Sequence, residues 1–134
     1  MTLAASGVAL GSQPEADNVI LLVDDDPAVR SSLKFSLEIE GYIVRVFATG
    51  RGLLAEGKLP LRGCVIADYK LPDTNGLDLI RGLRGRGVKL PAILITSDPG
   101  PLLRARADRD GVPIVEKPLL GNALMDAVRS AIGA

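Results

Sequence analysis

The sequence predicts an α/β domain: five parallel strands in one doubly wound sheet, with helices on both of its faces. Three observations predict it. Strand-like and helix-like patterns alternate five times along the 134 residues. Four short apolar runs stop at a polar residue, as strands buried on both faces do. The right-handed rule for parallel crossovers then places the intervening helices on both sides of a single sheet.

Val19–Val23 is the first strand and runs into Asp24, Asp25 and Asp26. Pro27 can open a helix at its first turn, with Asp26 as N-cap. Val29, Leu33 and Leu37 recur every four residues, which gives that helix one apolar face, and Gly41 ends it. Ile43–Phe47 is the second strand, and a short helix capped by Thr49 covers residues 49–56. The third strand starts at Cys64 and ends at Asp68, and residues 71–76 form a turn-rich loop. Leu77, Ile80 and Leu83 mark the third helix, with Gly87 past its end. The fourth strand starts at Ala92 and ends at Thr96. A fourth helix starts at Gly100–Pro101 and continues to about Asp110. The fifth strand covers residues 112–116 and leads into Lys117–Pro118, and Leu124, Val128 and Ile132 give the last helix its apolar face.

Composition narrows the function. The chain is long enough for one domain around one core. Hydrophobic residues make up 47% and charged residues 24%, so a soluble globular protein is expected. Sixteen basic and sixteen acidic side chains cancel, which removes any general attraction to nucleic acid or anionic lipid. No apolar run approaches the ~20 residues that a membrane span needs. Residues 1–18 hold no Lys or Arg, and Ser6 and Gly7 interrupt their apolar content, so they lack the pattern of a signal peptide. They are expected to be a loosely ordered extension, with the domain at residues 19–134. The single cysteine, Cys64, cannot form an internal disulfide, and a cytoplasmic location is expected. Cys64 lies in a strand and reads as a small core residue. The chain has no histidine, which excludes Ser-His and Cys-His nucleophile systems and histidine metal sites.

In a parallel sheet the four polar strand ends project from one carboxyl edge, where open α/β folds bind ligands. The residue types follow the order acid pair, acid, hydroxyl, lysine: Asp24 and Asp25, Asp68, Thr96, Lys117. Two like charges ~4 Å apart repel by about 4 kcal/mol at an effective dielectric near 20. Three carboxylates therefore call for a cation or for a raised pKa at one of them. Lys117 supplies one positive charge. A divalent ion, magnesium or manganese, suits the remainder, because magnesium binds through few carboxylates and keeps exchangeable waters.

The segments ILLVDDDPAVR, CVIADYKLPDTNGLDLI, PAILITSD and VPIVEKPL, at residues 20–30, 64–80, 91–98 and 112–119, resemble the receiver domain of two-component response regulators. The resemblance covers about residues 18–131. It implies a flavodoxin-like strand order, 2-1-3-4-5. It also implies that Asp68 accepts a phosphoryl group, that Thr96 is the hydroxyl of a conformational switch, and that Lys117 neutralises phosphoryl oxygens. Asp24, Asp25, Asp68 and the backbone carbonyl of Lys70 would hold the metal, and Lys117–Pro118 matches the family's cis peptide. The implied partner is a sensor histidine kinase or a histidine phosphotransfer protein, with room for a homodimer. Such a chain labels itself and loses the label by its own hydrolysis, and is not a turnover enzyme. No output domain is expected after residue 134, so the stand-alone type is expected, signalling by protein contact or onward relay without a DNA-binding domain.

One departure from the family concerns the last strand, where Ile114 stands in place of the usual aromatic. A second is the proline-rich segment Asp98–Pro99–Gly100–Pro101, which restricts the loop after Thr96. Outside the expected site, Asp26 reads as a plain cap and Asp73 as a solvated turn residue. Asn75–Gly76 reads as turn and helix-start chemistry, and Arg104, Arg106 and Arg109 as a solvated helix face. A competing class is an aspartate-nucleophile phosphatase of the haloacid dehalogenase type, read from Asp24-x-Asp26, Thr96 and Lys117. It leaves Asp68 without a role and lacks a later acidic metal motif.

Overall fold

The computed structural model describes residues 19–133. The expected N-terminal extension, residues 1–18, lies outside the described residues. Five strands follow in chain order: β1 Val19–Val23, β2 Ile43–Phe47, β3 Cys64–Asp68, β4 Ala92–Thr96 and β5 Ile114–Glu116. Five helices alternate with them: α1 Pro27–Ile39, α2 Gly50–Leu54, α3 Gly76–Gly85, α4 Pro101–Arg109 and α5 Ala123–Ile132. The strands form one parallel sheet in the order β2-β1-β3-β4-β5, which is the flavodoxin-like order. No described helix is long and apolar enough to cross a membrane.

The central strands read as unbroken apolar runs because both of their faces are covered. Successive side chains point to opposite faces. Leu21 and Val23 of β1, Val65 and Ala67 of β3, and Leu94 of β4 pack with Leu53, Leu77, Ile80 and Leu83 from α2 and α3. Ile20 and Leu22, Cys64 and Ile66, and Ile93 and Ile95 pack with Leu37 of α1 and with Leu124 and Val128 of α5. Two apolar layers thus hold the sheet between them, and the strand ends are fixed by the burial of what precedes them. Cys64 is fully buried in the second layer, and burial pushes its thiol up to about 12.

Local signals account for most helix ends. Asp26 accepts from the backbone N–H groups of Ala28 and Val29 and caps α1, with Pro27 at its first position. Thr49 caps α2, and Asn75 caps α3 through the Asp78 N–H. Two expected elements are shorter than the sequence suggests. The expected helix at residues 49–56 is Gly50–Leu54, closed by Ala55. The expected strand at residues 112–116 begins at Ile114. The Val112 N–H is drawn back to the Ala107 carbonyl at the end of α4, and Pro113 has no N–H to give the sheet.

Candidate functional site

Asp24 follows β1 directly, Asp68 and Thr96 are the last residues of β3 and β4, and Lys117 follows β5. All four therefore stand along the carboxyl edge of the sheet. Carboxylate oxygens of Asp24, Asp25 and Asp68 lie within 4.8 Å of one another. Asp24 is fully buried and Asp68 nearly so, while Asp25 is exposed. The Lys117 ammonium donates to Asp68 Oδ2 at 2.9 Å and stands 3.9 Å from Asp24 Oδ2. The Lys117–Pro118 peptide bond is cis.

The backbone around these side chains is tied closely. The Asp24 N–H donates to the Phe47 carbonyl, and the Arg30 guanidinium donates to the Asp24 carbonyl at 2.8 Å. The Tyr69 N–H donates to the Ile95 carbonyl just past Asp68. At Gly76 a Cβ would lie 2.5 Å from the Asp68 carbonyl oxygen, so only glycine lets α3 begin this close to the end of β3.

Three carboxylates share one ammonium. Burial is the largest influence on Asp24 and holds its carboxyl above the usual range. The Asp26 N–H and Lys117 act against this, and the charges of Asp68 and Asp25 add to it. Burial alone would lower the Lys117 ammonium. The hydrogen bond it donates to Asp68 and the charges of Asp68, Asp24 and Asp25 outweigh it and hold Lys117 above its ordinary value. Asp24 Oδ1 accepts the Asp26 N–H at 2.9 Å, but its buried Oδ2 has no hydrogen-bond partner. A buried carboxylate oxygen without a donor is costly. Within the same trio of acids, it is an oxygen suited to a hard divalent cation. The donor set thus fits magnesium or manganese.

Thr96 makes no hydrogen bond to these acids among the described contacts. Its side chain is buried, and its hydroxyl donates to the Ser97 carbonyl at 3.3 Å rather than to the acids. Lys70 is exposed on the loop after Asp68, where it bridges to Asn75. Asp98 has φ +51, a left-handed conformation that aspartate tolerates better than most residues. Asp26 uses its carboxylate on the cap of α1, which weakens the phosphatase reading built on Asp24-x-Asp26.

Three contacts were not legible in the sequence. Arg30 braces the acidic turn from one turn into α1. Arg104 is not merely solvated, since it pairs with Glu116 at 2.6 Å across exposed surface. Asp73, expected to be a solvated turn residue, instead accepts from the N–H groups of Gly50 and Arg51. The first joins residues six apart and the second residues twelve apart, while the third joins residues more than twenty apart, where nothing local marks it.

The response regulator receiver domain family matches residues 20–129. The chain is 34% identical over 119 residues to the C4-dicarboxylate transport transcriptional regulatory protein DctD of Pseudomonas aeruginosa, covering 88% of this chain and 26% of that protein. It is 36% identical over 114 residues to the transcriptional regulatory protein FixJ of Azorhizobium caulinodans, covering 84% of this chain and 54% of that protein. The chain thus spans about a quarter to about half the length of these relatives. Its fold matches the crystal structure of a CheY-like response regulator receiver domain protein from Methanospirillum hungatei with a TM-score of 0.78 at 28% identity, covering 87% of this chain and 94% of that one.

Proposed function

The chain belongs to the response regulator receiver domain family, and on that premise we propose that Asp68 accepts a phosphoryl group from a histidine kinase or a histidine phosphotransfer protein. What supports the reading is the cluster at the sheet edge: three converging carboxylates, with Lys117 2.9 Å from Asp68 and one buried Asp24 oxygen left without a donor. The chain has no histidine, so the donor imidazole belongs to another protein or domain.

An Asp68 carboxylate oxygen forms a bond to phosphorus as the bond from phosphorus to the donor's imidazole nitrogen breaks. The imidazole leaves with the electron pair and takes up a proton. Lys117 neutralises charge on the transferring group, and phosphoryl transfer depends mainly on such positioning and charge stabilisation. Asp24, Asp25, Asp68 and the Lys70 carbonyl would hold magnesium or manganese, which when bound would supply further positive charge against the phosphoryl oxygens. Thr96 turns its hydroxyl from the Ser97 carbonyl to a phosphoryl oxygen and draws the loop after it inward. Attack of water on the acyl phosphate releases inorganic phosphate and restores Asp68. The output is protein contact or onward transfer. We also propose a cytoplasmic location, which the single unpaired cysteine suits.

Labelling with acetyl phosphate or a phosphorylated kinase tests this reading. Wild-type chain should take up base-labile, divalent-metal-dependent label. Asp68→Asn, which keeps size and fold, should take up none. Undiminished label on Asp68→Asn, or full labelling in excess chelator, would overturn the assignment.

A further inference from the structure

Asp73 lies three residues past Lys70 in the loop that leaves Asp68. Its Oδ1 accepts the Gly50 N–H at 3.0 Å and its Oδ2 accepts the Arg51 N–H at 2.7 Å. Both donors belong to the first turn of α2, more than twenty positions earlier in the chain. The Gly52 N–H is taken by Thr49 Oγ1, so Asp73 completes the capping of a helix it does not belong to. The two segments also touch closely, since a Cβ at Gly50 would lie 2.6 Å from Thr74 Cγ2.

The loop itself is cross-tied. The Leu71 N–H donates to the Thr74 carbonyl, Lys70 bridges to Asn75, and the Gly76 N–H donates to the Tyr69 carbonyl. A loop braced in this way moves as a piece. Where Asp73 is held therefore affects where Lys70 stands. The arrangement also needs a carboxylate. Two donors meet two acceptor oxygens, and an amide would turn its NH₂ towards one of the N–H groups. The hydrogen bond from Arg51 is the largest influence keeping the Asp73 carboxyl below its ordinary range.

We propose that Asp73 is a positioning residue, which ties the loop bearing the Lys70 carbonyl to α2 and thereby sets the affinity of the acidic site for a divalent cation. The inference rests on the reading of that carbonyl as a metal ligand. Partners that orient metal ligands typically contribute 10–100-fold to affinity. Asp73 acts through a loop, so the low end of that range applies.

Magnesium titration by calorimetry on the full chain tests it, with wild type, Asp73→Asn and Asp73→Ala compared. Asp73→Ala should bind magnesium about tenfold more weakly, and Asp73→Asn, which keeps one acceptor, should fall in between. Labelling by acetyl phosphate should slow in Asp73→Ala at limiting magnesium and recover at saturating magnesium. Gly50→Ala, which crowds Thr74 and leaves the carboxylate in place, should weaken magnesium in the same direction. A lowered melting temperature in Asp73→Ala with magnesium affinity within twofold of wild type would reduce Asp73 to a helix cap and overturn the proposal. Labelling that stays slow at saturating magnesium would overturn it too. Failure of the wild type to bind magnesium is a different result, which removes the metal reading of the site and this inference with it.

Discussion

The two halves of the sheet's carboxyl edge are built differently. At the ends of β1 and β3, Asp24 and Asp68 are buried, Lys117 already donates to Asp68, and the backbone on either side is bonded in place. At the end of β4 the Thr96 hydroxyl is turned to its own loop and Asp98 takes a left-handed conformation, and on the neighbouring β5 its first residue, Ile114, is only partly buried. The ion pair of Arg104 with Glu116 there is about half exposed on both sides, a setting in which such pairs contribute ~0–1 kcal/mol. On the proposed function, the first half would serve as a preorganised reaction site and the second as the segment that responds. Preorganisation lets charge be stabilised without rearrangement at the moment of reaction. A switch needs the opposite, a local structure of low stability.

Loss of the preformed Lys117–Asp68 contact has the largest expected effect. Lys117→Ala should slow labelling by acetyl phosphate about a hundredfold or more, the scale expected when one donor to the developing charge is lost. Labelling within a few fold of wild type would mean that the Lys117–Asp68 contact does not serve the chemistry.

A second prediction concerns the cost of holding the acids together. Burial raises the Asp24 carboxyl above its ordinary 3.8. Between 3.8 and the raised value the native state binds more protons than the unfolded chain, so stability falls as pH rises through that window. The burden then persists at neutral pH. Asp24→Asn should therefore melt a few degrees higher than wild type at neutral pH without metal, and the gain should fade as pH drops towards 3.8. Magnesium should raise the melting temperature of the wild type more than that of the variant. A neutral-pH melting temperature for Asp24→Asn at or below wild type would show that the acidic cluster carries no strain.

The smallest effect sharpens the other half. Ile114 has no ring to swing, so occupancy of the site should be felt in the loop after Thr96 and little on β5. Hydrogen exchange with and without beryllofluoride, a phosphoryl mimic, should change within residues 97–104 and hardly within 112–116. The reverse distribution would place the response on β5.

Much of this was legible in the sequence because burial is local information. A strand covered on both faces is an unbroken apolar run, so Val19–Val23 and Cys64–Asp68 mark their own ends, and with them Asp24 and Asp68. Pro27 marked Asp26 as a cap, and Asn75–Gly76 marked a helix start. The tether from Asp73 was not legible. Its donors are backbone groups distant in the chain, and its turn position already gave it a local explanation. The direction of the Thr96 hydroxyl was hidden for a related reason, since a rotor chooses among nearby acceptors that only the folded loop supplies. The late start of β5 depends on where the Val112 N–H goes, which depends on how α4 ends.

Cys64 sits in the middle of this sheet, fully buried, with its thiol pushed up to about 12. Alkylating and oxidising reagents act on the thiolate and need to reach the sulfur. At neutral pH neither condition holds until the layers on both sides of β3 part. The thiol is therefore a clock for the opening of the central strands: its rate of modification under native conditions counts excursions of the core, with no added dye and no engineered probe. Because it is the only sulfhydryl in the chain, every modified molecule records the same event.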